Sequence, residues 1–104
     1  MSARYDVRDN PQKQRFEVEL PRGDVAIADY RLEQDRIVFT HTMVPKAHEG
    51  HGVGSALIHH ALASARRRGL KVVPACEFFA AHFEHHPEDR DLLDPEFLRT
   101  ITNR

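Results

Sequence analysis

Hydrophobic and polar positions alternate along the first half of the chain. From Lys13 to Leu20, Phe16, Val18 and Leu20 fall on one side and Arg15, Glu17 and Glu19 on the other. A period of two with one apolar face predicts a half-buried strand. Tyr5 and Val7 predict a short strand before it, closed by a turn at Asp9-Asn10-Pro11. Pro21-Arg22-Gly23-Asp24 predicts the next turn, and Val25 to Leu32 the returning strand. After Glu33-Gln34-Asp35 comes a third strand, Arg36 to Val44. Strict alternation puts Ile37, Phe39, His41 and Met43 on one face, and Val38, Thr40, Thr42 and Val44 on the other. Short polar turns between such strands predict an antiparallel meander.

The period then changes. Val53, Leu57, Ile58, Ala61, Leu62 and Ala65 form one stripe of a helix ending near Arg68. Arg66-Arg67-Arg68 suits the negative end of the helix dipole as a solvated terminus, and Gly69 is a natural stop. His59 and His60 fall off the stripe, at the surface. Leu70-Lys71-Val72-Val73 predicts a buried strand. A strand, a helix and a strand make a βαβ unit, so the last two strands should be parallel. Glu77 to His86 predicts a second helix, with Phe79 and Phe83 four residues apart, interrupted by Pro87-Glu88-Asp89. Asp94 as cap and Pro95 at the first position predict a third, with Phe97, Leu98 and Ile101 as its apolar side. The class is α/β (α+β): a mixed, mostly antiparallel sheet with one parallel βαβ unit and two or three helices.

Composition narrows the function. One domain fits 104 residues. The net charge of −1 offers no electrostatic footprint for nucleic acid or an acidic membrane. No apolar run is long enough to span a bilayer, and the start lacks a signal-peptide profile. A single cysteine, Cys76, rules out an internal disulfide and agrees with a reducing compartment. The expectation is a soluble, cytoplasmic protein. Eight histidines are a high share. His48, His51, His82, His85 and His86 could suggest a metal, and His82 has i+3 and i+4 partners. No set has the spacing of a structural zinc site and no His-Glu-x-x-His is present, so no metal is expected.

The stretch that carries chemistry is Glu49-Gly50-His51-Gly52-Val53-Gly54-Ser55, between strand and helix. Glycines there let backbone N–H groups approach an anion, and a helix N-terminus adds partial positive charge. A turn shaped by sterics alone would also use glycines. The pattern is neither G-x-G-x-x-G, since Ser55 stands at the third glycine, nor a P-loop.

The loop resembles the pyrophosphate motif of GNAT-superfamily N-acetyltransferases, Arg/Gln-x-x-Gly-x-Gly/Ala. The wider run extends the likeness: Thr40-His41-Thr42-Met43-Val44-Pro45, the glycine loop, Ala65-Arg66, Gly69 to Cys76, and His86-Pro87-Glu88. It is similar to a small stand-alone GNAT-like family across about residues 14–93. The resemblance implies acyl-CoA in a V between two splayed strands. Met43 and Val44 would meet the pantetheine. Gly50, His51, Gly52, Val53, Gly54 and Ser55 would hold the pyrophosphate, and Cys76 would lie near the thioester. His82 falls where the family often carries an aromatic residue, commonly Tyr. Glu49 departs from the motif, and a carboxylate repels phosphate unless it points away. The family's wall helices are also missing between the first strands. The acceptor side is therefore open, or completed by a partner chain such as a second copy.

On this reading acetyl-CoA is the co-substrate, and the acceptor is an amine on a small molecule or peptide. His41 is the candidate base, against a packed core histidine. His82 is the candidate leaving-group acid, against a helix-surface histidine. Cys76 is a candidate nucleophile, against a small buried hydrophobe. The alternative function is a non-catalytic acyl-CoA-binding module of the same fold.

Overall fold

The structure is a computed structural model and describes residues 5–102, with side chains through Thr100. Five strands form one sheet in the order of the chain: β1 (Val7–Asn10), β2 (Arg15–Glu19), β3 (Val25–Glu33), β4 (Arg36–Met43) and β5 (Lys71–Pro74). The first four pair antiparallel, and β5 runs parallel to β4. The helices are α1 (Val53–Arg68), α2 (Glu77–His85) and α3 (Pro95–Thr102). The predicted meander and the βαβ unit are both present. The first turn comes later than the Asn-Pro pair suggests. Asp9 and Asn10 are in β1, and the reversal uses residues 11–14, with Gln14 at φ 53°.

One face of the sheet carries Phe16, Val18, Ala26, Ala28, Ile37 and Phe39 against α1. The stripe read from the sequence is the buried one: Val53, Leu57, Ile58, Ala61, Leu62 and Ala65. His60 is not a surface residue as expected; it is half-buried, with its ring edge on Phe16 at 5.6 Å. Phe39 and Phe79 stack at 4.1 Å and 4°, which fixes α2 to β4. Full burial of each such ring is worth roughly 1.5–3 kcal/mol.

α1 ends as the sequence predicts. Gly69 takes φ 68°, and Leu70 N–H donates to the Ala65 carbonyl at 2.9 Å. This is the closure that only a residue free of Cβ makes without strain. Arg66 is not simply solvated. It donates to Asp91 at 2.6 Å and to Asp89 at 3.3 Å, pinning a 3-10 segment, Pro87–Leu92, to the end of α1. Leu93 then bridges Val72, and Asp94 N–H donates to the Val72 carbonyl at 2.8 Å. The chain thereby covers the edge of β5, which would otherwise present unpaired backbone. Asp94 caps α3 through the Glu96 N–H at 3.2 Å. Phe97 and Leu98 pack on the core, while the Ile101 side chain lies outside the described residues.

Two features shape the site. First, β4 and β5 pair only as far as Phe39 and Pro74, and the final link is Cys76 N–H to the Phe39 carbonyl at 3.1 Å. Beyond it β4 runs on to Met43 while β5 has ended, so the two part. Second, β4 has a bulge. Tyr30 pairs with Phe39 and Asp29 with His41, leaving Thr40 extra. An extra residue reverses the alternation beyond it. The single face predicted for Phe39, His41 and Met43 is therefore broken. Phe39 is in the core, His41 is exposed, and Met43 is 49% exposed. Thr42 and Val44 turn inward instead, both half-buried.

Candidate functional site

The glycine loop begins with a 3-10 turn, Lys46–His48, after Pro45. Gly50 and Gly52 take φ 81° and 87°, the left-handed region that suits glycine. A Cβ built on either would meet nothing within 4 Å, so backbone conformation, not crowding, requires glycine there. Gly52 is the N-cap of α1 and supplies no side-chain cap. The first intrahelical bond from this cap runs from Ala56 N–H to the Gly52 carbonyl at 3.0 Å. The amides of Val53, Gly54 and Ser55 precede it, so no earlier intrahelical carbonyl takes them. They stand at the positive end of a 16-residue helix.

Two contacts fasten the loop. His48 Nε2 lies 2.9 Å from Asp24 Oδ2, in the turn between β2 and β3. A carboxylate only accepts, so Nε2 carries the hydrogen. On the other side, the Tyr5 hydroxyl donates to the His51 carbonyl at 3.0 Å.

A cavity of about 480 Å³ opens in front of these amides. Of the residues predicted to bind cofactor, Val44, Gly50, Gly52, Val53, Gly54 and Ser55 line it. Met43 and His51 are not among its walls. The bulge turns the Met43 side chain away, and the His51 carbonyl is held by Tyr5. Thr42, His48, Glu49 and Phe78 complete the lining. Glu49 thus stands at the cavity, in the motif's Arg/Gln position, although a carboxylate repels phosphate unless it points away.

A second cavity, about 450 Å³, lies where β4 and β5 part. His41, Thr42, Cys76, Glu77, Phe78 and Ala81 line it. Cys76 is half-buried and is the N-cap of α2. Its Sγ lies 3.3 Å from Thr42 Oγ1. The structure therefore brings His41 and Cys76 to one cavity.

His82 is placed elsewhere. Its side chain is 7% exposed, and Nε2 lies 2.9 Å from Asp89 Oδ2. Its ring stacks on His86 at 4.3 Å and meets His59 edge-on at 6.2 Å. It lines neither cavity. Among the described residues, no three of His, Cys, Asp or Glu stand together as a metal site. No described helix is long and apolar enough to cross a membrane.

This geometry has relatives. The sequence pattern of a family described as GCN5-related N-acetyl-transferase matches residues 15–92. The chain belongs to the GCN5-related N-acetyltransferase family. The matched span holds both cavities, from His41 through Ala81. The NMR solution structure of a GCN5-like protein from Staphylococcus aureus superposes with a TM-score of 0.70. It is 22% identical, and the match covers 89% of this chain and 91% of that one. At that identity the likeness supports the shared GNAT fold. No curated protein matches this chain significantly.

Three contributors to the site were not singled out in the sequence. Thr42 needed knowledge of the bulge. Asp24 lies 24 residues from its partner His48, with no local pattern linking them. Phe78 stands beside Phe79 but outside the stripe that Phe79 and Phe83 form. An apolar residue out of phase with the Phe79–Phe83 stripe was the available signal.

Proposed function

We propose that this GCN5-related protein transfers acetyl from acetyl-CoA to an amine acceptor on a small molecule or peptide. One observation carries the reading. The uncapped N-terminus of α1 faces a cavity that shares Thr42 and Phe78 with the cavity holding Cys76 and His41. The residues fit an acyl-CoA. Backbone N–H groups suit a pyrophosphate, the left-handed glycines present no side chain to it, and a sulfur and an imidazole stand further along.

Acetyl-CoA supplies an activated thioester. The amides of Val53, Gly54 and Ser55 hold the diphosphate and fix the register of the arm. The parted strands leave β4 backbone near Thr42 and Val44 for the pantetheine, as an added strand would use it. His41, exposed and beside the second cavity, accepts the proton from the attacking amine. Two routes fit the residues: direct attack by the amine, or prior acyl transfer to the Cys76 sulfur. Only a short 3-10 turn, Pro21–Gly23, joins β2 and β3. The acceptor side is thus open to a substrate or to a second copy of the chain.

The test is calorimetric titration with acetyl-CoA, CoA and pantetheine, followed by acetyl transfer to a panel of amines. Saturable binding that needs the pyrophosphate, with turnover, is expected. At a hundredfold excess over Kd, the ligand should add ~2.7 kcal/mol of stability in a melt. Binding without turnover on any amine would favour an acyl-CoA-binding module. No binding at millimolar ligand would leave the loop as a structural turn and defeat the reading.

A further inference from the structure

Phe78 and Phe79 are adjacent but behave differently. Phe79 is fully buried on Phe39, while Phe78 is 42% exposed in the first turn of α2. The Phe78 ring rests on Gly54 of α1. It lies so near that a Cβ built on Gly54 would overlap the ring at Cζ and Cε2. Gly54 is not among the positive-φ glycines, so its backbone accepts any L-residue. The ring, not the backbone, is what requires glycine here.

The position of this ring matters because of the two cavities. They share Thr42 and Phe78 and no other residue. Those two side chains stand where the cavities adjoin, on the direct line from the first-turn amides to Cys76. The Phe78 ring lies on that path. Its exposure leaves it few packing restraints, and exposed side chains change rotamer in picoseconds to nanoseconds.

We propose that Phe78 is a ligand-displaced gate seated on Gly54. In the free protein it separates the phosphate cradle from the cavity of Cys76 and His41. It swings off Gly54 when an acyl-pantetheine arm runs through. Gly54 serves as the gate's seat as well as part of the cradle. The proposal rests on the acyl-CoA reading above.

A closed gate slows entry in proportion to the fraction of time it is shut. Stopped-flow binding of acetyl-CoA would be compared in the wild type, Phe78→Ala, Gly54→Ala and the double variant. Adenosine 3′,5′-bisphosphate, which has phosphates and no arm, serves as the control probe. A gate open about one-tenth of the time predicts a roughly tenfold faster association of acetyl-CoA in Phe78→Ala. Gly54→Ala should do the same by pushing the ring off its seat. The double variant should be no faster than either single one, since each removes the same obstruction. In each variant the gain in rate for acetyl-CoA should exceed any gain for the control probe, which has no arm to enter the second cavity. Unchanged acetyl-CoA rates in both single variants, or equal acceleration of the control probe, would overturn the gate alone. Failure of all four proteins to bind either probe would overturn the acyl-CoA reading and the gate with it.

Discussion

Thr42 Oγ1 lies 3.3 Å from Cys76 Sγ, across the gap where β4 and β5 part. The bulge at Thr40 makes this contact, because without it Thr42 would face away. A hydroxyl that donates to sulfur stabilises negative charge there, and hydrogen bonds to charged groups are the stronger kind. Thr42→Val keeps the shape and removes the donor. Its Cys76 should react with iodoacetamide about three- to tenfold more slowly, since one factor of ten corresponds to ~1.4 kcal/mol. Mass spectrometry of the alkylated protein over time gives the rates. Equal rates would mean that the sulfur donates to the hydroxyl instead.

Asp24 holds the glycine loop through His48 at 2.9 Å. Asp24→Ala frees that end of the loop without touching the core. A hydrogen bond of this kind contributes ~1 kcal/mol. The variant should fold, and its amides at residues 46–52 should exchange with deuterium faster. Its acetyl-CoA affinity should fall about fivefold, because the loop must then be ordered on binding. Unchanged exchange would show that the Tyr5 contact alone suffices.

Gly52→Val joins two effects that the structure separates. Nothing lies within 4 Å of the new Cβ, so no clash destabilises the fold. The φ of 87° does, by roughly 1–2 kcal/mol for an L-residue forced left-handed. The side chain also stands before the first-turn amides. Urea unfolding should show the first effect, and calorimetry a more than tenfold loss of acetyl-CoA affinity beyond it. Gly52→Asn separates them, since asparagine tolerates this region and should retain more stability. A folded Gly52→Val protein with wild-type affinity would remove the loop from the site.

The largely covered His82 belongs to a network with Asp89, Arg66 and His86 at the protein surface. Its removal should act on stability. His82→Ala is expected to lower unfolding free energy by about 1–3 kcal/mol, through a lost hydrogen bond and lost ring packing. Acetyl-CoA affinity and the pH dependence of any turnover should stay as in the wild type. A shifted pH–rate profile in this variant, with folding intact, would return His82 to the chemistry.

The sequence was most legible where one period runs undisturbed. The α1 stripe, the Gly69 stop and the Asp94 cap each rest on neighbours within four residues. The glycine loop was legible for the same reason. The bulge at Thr40 was not, because nothing in Phe39-Thr40-His41 marks an extra residue. One unmarked insertion moved Met43 out of the site and Thr42 into it. Asp24 with His48, Phe78 with Gly54 and His82 with Asp89 are contacts made by the folded chain. Their partners lie 7 to 24 residues apart, and local periodicity does not encode them.

Tyr30 gives the fold a pH limit on the alkaline side. It is 4% exposed, and its hydroxyl donates to Asp9 Oδ1 at 2.6 Å, tying β3 to β1. Burial, then the Asp9 carboxylate, pushes the phenol well above its ordinary range. In the unfolded chain a tyrosine loses its proton near pH ~10. Above that pH the unfolded state binds fewer protons than the folded one. The sign of the linkage then makes stability fall as pH rises. The contribution of Tyr30 is fully present below the unfolded value and is lost progressively above it, through the raised folded value. Urea midpoints should therefore decline between pH 10 and 11. Tyr30→Phe removes the titrating group and the bond to Asp9. It should lower stability by about 1 kcal/mol at pH 7, with a shallower decline above pH 10. An equally steep decline in Tyr30→Phe would assign the alkaline limit to other groups.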